Sequence, residues 1–277
     1  MLFQSRADEA WPGVNHGENI RDAANLSTPA DTRLSPHAVK KFRPSYRFKR
    51  LLGFLFANSQ SIRWLTQGRI LGRAAAEFRR PGIRALDVGC GGGSYAIENH
   101  LRHGTPATLC DFDGSLLDMA RRQVAESGVA TPAEFAECSA EALPFTEGAF
   151  DFIECMEVLE HLHHPEKALA EFRRVAKDGA RLVISVPHPP EWFPNTGHVV
   201  EGYRAPEITR LVESAGWRVV RVEYCMLILT RLVAALLHYL RVPLPLNPLL
   251  LLENLVPGAI RPKLLPYDIV VVAEKVS

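Results

Sequence analysis

From Ile83 onward, short apolar runs alternate with stretches that are apolar on one helical face only. Ala85 to Val88 reads as a strand and Ser94 to Leu101 as a helix. Ala107 to Cys110 is a second strand, ending at Asp111. Leu116 to Glu126 follows as a helix with Ser115 as its N-cap. Ala133 to Cys138 and Phe150 to Cys155 are further strands. Glu166 to Ala176 carries Leu169, Phe172 and Val175 on one face and predicts a helix. Arg181 to Val186 is a strand stopped by Pro187. Pro206 to Ala215 predicts a helix, with proline in its first turn and Gly216 past its end. Arg218 to Tyr224 and Tyr267 to Glu274 are the last strands. Repeating β-α units of this length predict an α/β fold with a doubly wound, mostly parallel sheet.

The flanks break this rhythm and give the domain plan. Residues 1–34 are polar and aperiodic, which predicts a disordered tail. Residues 35–80 read as N-terminal cap helices, with Lys40, Lys41, Arg43, Arg47, Lys49 and Arg50 clustered among apolar residues. Residues 81–277 hold the α/β domain. Within it, residues 225–265 form an insertion rich in Leu, Val and Pro. That insertion reads as a packed helical cap, a dimer surface, a peripheral membrane contact or the wall for an apolar substrate.

Composition narrows the setting. The 277 residues carry a net charge of +1, so no global field draws the protein to nucleic acid. The 5 cysteines show no metal spacing, which suggests reduced thiols in a cytoplasmic protein, with a peripheral membrane location open. No signal peptide is visible, and no apolar run reaches the ~18 residues of a membrane span.

The chemistry gathers where the first strand ends. Asp87 precedes Gly89-Cys90-Gly91-Gly92-Gly93, a turn that opens a helix. With no Cβ, such glycines let a ligand approach the backbone. Asp111, at the end of the second strand, can accept hydrogen bonds from both hydroxyls of a ribose. A dinucleotide or S-adenosylmethionine would fit both features. The short G-x-G-x-G spacing and the acid beside it disfavour a pyrophosphate and favour the cationic donor.

Four segments then carry a resemblance. Leu86 to Gly93, Asp111 to Ala120, Ser139 to Phe145 with Phe150-Asp151, and Phe172 to Ala180 resemble, in order and spacing, the motifs of class I S-adenosylmethionine-dependent methyltransferases. The match is of the type 11, ubiquinone-biosynthesis O-methyltransferase-like kind, and covers about Arg84 to Tyr224. The resemblance implies a Rossmann-like sheet of seven strands with the last antiparallel. It also implies that Asp87, Gly89, Cys90, Gly91 and Gly93 hold the methionine part of the donor. Asp111 would take the ribose and Phe112 would pack on the adenine. Ala140 and Glu141 would line the adenine pocket, and Cys155 with Met156 would flank the methyl-transfer channel. Ser139 stands where the family usually has an acid.

A second constellation follows the fourth strand. Glu157, Glu160 and His161 fall at i, i+3 and i+4, one face of a helical turn, and that set can ligate a divalent cation such as Mg2+. The E-x-x-E-H pattern resembles the metal motif of ubiquinone-biosynthesis O-methyltransferases and of small-RNA 2′-O-methyltransferases. The latter use a further histidine, for which His198 is the first candidate and His188 the second. Without a metal, His161 or His198 would be the catalytic base. The expected activity is O-methylation of a small or lipid-linked acceptor. An RNA 2′-O-methyltransferase and a non-catalytic S-adenosylmethionine-binding module are the alternatives.

Overall fold

The computed structural model describes residues 59–190, 197–240 and 247–276, with residues 48, 51, 52 and 55 ahead of them. The expected polar tail and the basic cluster Lys40, Lys41, Arg43, Arg47, Lys49 and Arg50 lie outside the described residues.

Each of the seven expected strands forms: β1 (Ala85–Val88), β2 (Ala107–Asp111), β3 (Ala133–Glu137), β4 (Phe150–Met156), β5 (Ala176–Pro187), β6 (Trp217–Cys225) and β7 (Asp268–Lys275). They form one sheet in the order β3-β2-β1-β4-β5-β7-β6. β1 to β5 pair in parallel, and β7 runs antiparallel between β5 and β6. β5 starts earlier than its apolar core at Arg181. Ala176 pairs with Phe150 and Arg181 with Phe152, so the polar residues between bulge out of register, with Gly179 at φ 72°.

Helices cover both faces. On one lie α1 (Ser59–Phe78), α2 (Ser94–Asn99) and α3 (Gly114–Ser127), whose Leu71, Ile97 and Leu117 pack with Phe152 and Val270. On the other lie α4 (Pro165–Val175) and α5 (Ala205–Ser214), whose Phe172 and Val212 pack with Leu86, Ile153 and Ile184. Period-two alternation sends neighbouring strand residues to opposite layers. Asp87 therefore shares a face with Ala85, and Glu154 shares that face with Phe152 and Met156.

The cap of α3 differs from expectation. The helix starts earlier, and Asp113 is its N-cap, accepting from the Ser115 N–H at 2.8 Å; Ser115 lies inside the first turn. Aspartate accepts as readily as serine there, so the D-x-S order allowed either. The expected cap helices reduce, among the described residues, to α1 and single helical positions before it. The insertion contributes α6 (Ile228–Leu240), α7 (Asn247–Leu250) and 3-10 turns over Leu251–Leu255 and Arg261–Lys263. Among the described residues no helix is long and apolar enough to cross a membrane.

Candidate active site

The glycine turn is held by its own strand ends. The N–H groups of Gly89 and Cys90 both donate to the Cys110 carbonyl, at 2.8 and 3.0 Å. Asp111 then ties β2 to the turn: Oδ2 accepts from the Gly91 N–H at 2.8 Å and Oδ1 from the Asp113 N–H at 3.0 Å. Gly89 has φ 70°, and a Cβ there would strike a methyl of Val158. Glycine at this point therefore lets the turn close against the segment that follows β4. Gly91, at φ 50°, faces open space. The ring of Phe112, at the same edge, is 70% exposed, which leaves it free as a stacking platform. Ala140 and Glu141 follow β3 at this edge, inside a small turn where the Glu141 N–H donates to Ser139 Oγ at 3.2 Å. Cys155 stands apart from these residues. It is wholly buried among Leu86, Val88 and Leu159, in the layer opposite Met156 and Cys90.

Asp87 lies beneath the turn rather than in it. It pairs in register with Glu154 on the adjacent parallel strand. Glu154 Oε2 is 3.0 Å from His100 Nε2, and all three groups are buried. Burial, then the neighbouring Glu154, pushes Asp87 well above the carboxylate range. Burial pushes Glu154 up to about 8 and His100 down to about 4. Asp87 Oδ2 is buried with no hydrogen-bond partner.

The E-x-x-E-H residues do not share a helical face. Glu157 has φ 59°, a left-handed conformation that breaks the turn, and only Leu159–His161 is helical, as a 3-10 turn. Glu157 accepts from Gln67 Nε2 and from Ser185 Oγ, both at 2.9 Å, and pairs with Arg63 at 3.1 Å. Arg63 also reaches Asp268 at 3.3 Å, and Gln67 Nε2 donates to Asp268 at 2.8 Å. The Tyr95 hydroxyl donates to Gln67 Oε1 at 3.0 Å. This network joins α1, α2, β5 and β7 and was not foreseen. The available signal was Arg63 and Gln67 at i and i+4 on an apolar helix face.

The cluster that does form is Glu160, His161 and His198, whose ligand atoms all lie within 4.8 Å of one another. Of the expected set, Glu160 and His161 stay, Glu157 drops out and His198 joins, which leaves Glu160 as the one carboxylate of the cluster. Both Glu160 oxygens are buried with no hydrogen-bond partner, and burial followed by the Glu157 charge pushes its pKa well up. His161 Nδ1 is 2.7 Å from the Gly197 carbonyl, so that nitrogen carries the proton and Nε2 presents its lone pair. Nε2 lies 4.0 Å from Glu160, and the His161 and His198 rings meet edge to face at 4.7 Å. His188 is elsewhere, against Tyr224 at 6.1 Å. Tyr203 is half-buried, with its hydroxyl 3.4 Å from the Leu159 carbonyl. A cavity of about 310 Å³ lined by Arg79, Arg80, Ile83 and His103 opens at the amino ends of β1 and β2, the wrong end of the sheet for this chemistry.

A family model described as "Methyltransferase domain" matches residues 86–184. A ubiquinone/menaquinone biosynthesis C-methyltransferase of Brucella anthropi is 37% identical over 110 residues, 39% of this chain and 42% of that protein. A ubiquinone biosynthesis O-methyltransferase of Hahella chejuensis is 41% identical over 111 residues, 38% of this chain and 43% of that protein. The match thus spans about two fifths of the length of these relatives. A crystal structure of an S-adenosylmethionine-dependent methyltransferase from Aquifex aeolicus superposes with a TM-score of 0.52 at 22% identity, covering 79% of this chain and 100% of that one. The cyclase SpnF superposes with a TM-score of 0.55 at 21% identity, covering 76% and 80%, so the fold by itself does not specify the reaction. The motif order, the sheet order and the sequence relatives agree: over residues 86–184 this chain matches a methyltransferase domain and is similar to the class I S-adenosylmethionine-dependent methyltransferases.

Proposed function

We propose that the protein methylates a hydroxyl of a small apolar or lipid-linked molecule, with S-adenosylmethionine as donor. The observation that carries this reading is the Glu160, His161 and His198 cluster, one short loop from the glycine turn. When bound, S-adenosylmethionine supplies a methyl group on a sulfonium centre, open to in-line attack. The open space over Gly91 and the backbone of Gly89, Cys90 and Gly93 suit its amino-acid part, with Asp87 beneath. Asp111 suits the ribose, and Phe112, Ala140 and Glu141 suit the adenine. Cys155, being wholly buried, supports the channel from behind and does not line it.

The acceptor hydroxyl must lose a proton as it attacks. His161 is set up for this, because its Nδ1–H is anchored on the Gly197 carbonyl and Nε2 faces Glu160. The same three side chains can hold a divalent cation, which would lower the pKa of the hydroxyl. Two imidazoles and one carboxylate suit Mn2+, Fe2+ or Zn2+ better than the Mg2+ named from sequence. The net charge of +1 and the apolar insertion favour such an acceptor over RNA.

The name of the Brucella anthropi relative favours a second reading, transfer to carbon. The test is a panel of hydroxylated and quinol lipids, measuring S-adenosylhomocysteine release and the product by NMR, with and without chelator. The account predicts a methoxy product and a loss of about 10²-fold or more in His161→Ala. A C-methyl product supports the second reading, and full activity in His161→Ala overturns the proton-transfer role. S-adenosylmethionine binding with no turnover on any acceptor supports the non-catalytic alternative. Full activity of the wild type in excess chelator removes the cation.

A further inference from the structure

The floor of the glycine turn holds two acids that face each other without a donor between them. Asp87 on β1 and Glu154 on β4 are register partners, on the sheet face that carries Ala85 and Phe152. Asp87 is 2% exposed and Glu154 wholly buried. Asp87 Oδ2 and Glu154 Oε1 each lie buried with no hydrogen-bond partner. Two ionised carboxylates have no hydrogen to offer and repel one another. A single proton between them satisfies both atoms at once. The other Glu154 oxygen, Oε2, is 3.0 Å from His100 Nε2, and the His100 ring meets Phe152 edge to face at 4.9 Å. The three groups thus form a chain: Asp87 donates to Glu154, and Glu154 donates to His100.

The charges around this chain do not offset an ionised Asp87. Asp111, on β2, has both carboxylate oxygens engaged by the Gly91 and Asp113 N–H groups. The thiols of Cys90, Cys110 and Cys155 feel Asp87 too; burial raises Cys90 and Cys155, and the hydrogen bond with Cys138 raises Cys110, so none carries charge. His100 is neutral, and it is His100 that the Arg79 charge and the neighbouring His103 reach. The pair therefore enters neutral pH protonated, with burial as the first cause.

On the reading that seats S-adenosylmethionine at the glycine turn, which the rest depends on, the donor brings the missing cation: its ammonium and sulfonium groups are positive. Gly91 leaves open space for it above the acid. A positive charge arriving there favours the ionised form of the carboxyl beneath.

We infer that Glu154 and His100 keep Asp87 protonated until the donor binds, and that binding drives one proton out of the Asp87–Glu154 pair. The Asp87 O–H bond breaks, its electron pair stays on the carboxylate, and the proton passes to buffer base. Glu154 keeps its hydrogen bond to His100, which takes no net proton. Glu154 and His100 are positioning residues here, acting on the donor through Asp87. Release of a proton makes affinity rise with pH, by up to about tenfold per unit. The donor's own α-amino group loses its proton at about 7.7–8.0 and works in the opposite direction, so the window from about pH 6 to pH 7 isolates the pair.

The experiment is isothermal titration of S-adenosylmethionine into the full-length protein at about pH 6.5, in phosphate, PIPES and imidazole buffers, whose ionisation enthalpies differ. The observed heat should change with the buffer, with a slope of about 0.5 to 1 proton released, and Kd should fall about threefold or more from pH 6 to pH 7. Glu154→Gln keeps a donor for His100 and removes the partner that shares the proton, so release should drop to about a third of a proton or less and the Kd profile should flatten. The wild-type buffer series decides on its own whether a proton leaves, and the variant locates it. Heats that do not depend on the buffer, with binding intact, overturn the inference and leave the donor reading standing. Equal release by the variant also overturns it, because the proton then comes from elsewhere. No binding by the wild type at any pH overturns the donor reading, and the inference with it.

Discussion

At the scale of single residues, the least expected feature is the buried trio under the glycine turn. Asp87 and Glu154 are side by side on parallel strands, where two carboxylates cannot both be charged, and His100 meets the second. Burial keeps Glu154 and His100 neutral together, so the Glu154 carboxyl donates to His100 Nε2. The linkage has a definite sign. Folded Glu154 keeps its proton up to about 8, whereas its ordinary value is 4.5, so stability falls as pH rises through that window. His100 is depressed from 6.5 to about 4, so stability also falls as pH drops through that second window. Glu154→Gln keeps a donor for His100 and removes the titration. Its melting temperature should therefore fall less than that of the wild type between about pH 5 and pH 8. Superimposable melting profiles would count against this arrangement. The sequence showed Asp87 plainly, as the acid before a glycine turn. It hid Glu154 and His100, because a strand glutamate and a helix histidine signal nothing until β4 is laid beside β1.

At the scale of elements, one side chain latches the insertion to the domain. Arg231 serves four backbone carbonyls from a buried position. Arg231→Ala leaves those carbonyls short of partners and should lower stability by about 2–4 kcal/mol in denaturant titration. An unchanged midpoint would show that the insertion docks by its leucines alone. The same scale explains what the sequence reading placed well and what it did not. Strands buried on both sides are continuous apolar runs, so their number and order of appearance were legible. The E-x-x-E-H face was not, because helical spacing is informative only where a helix continues, and Glu157 turns left-handed just there. The polar ends of Arg63, Gln67 and Ser185 then draw Glu157 out of the cluster, and His198 arrives from a loop 37 residues after His161.

At the scale of the molecule, the sheet brings both halves of the chemistry to one edge. β1 and β2 deliver the glycine turn and Asp111, while β4 delivers Glu160 and His161. Val158 locks the two halves together by filling the space above Gly89. This much was readable from the chain, because a donor site at the carboxyl ends of parallel strands follows from the order of β-α units. The orientation of the insertion was not readable, since its leucines suit a core, a partner or a bilayer until the structure shows which are exposed. The central claim is that the edge binds S-adenosylmethionine through the glycine turn and Asp111. Isothermal titration of S-adenosylmethionine into the wild type and Asp111→Ala tests it most directly. The account predicts saturable binding by the wild type and a loss of about tenfold or more, at least ~1.4 kcal/mol, in the variant. Equal affinity in the two proteins, or no binding by the wild type, would contradict it.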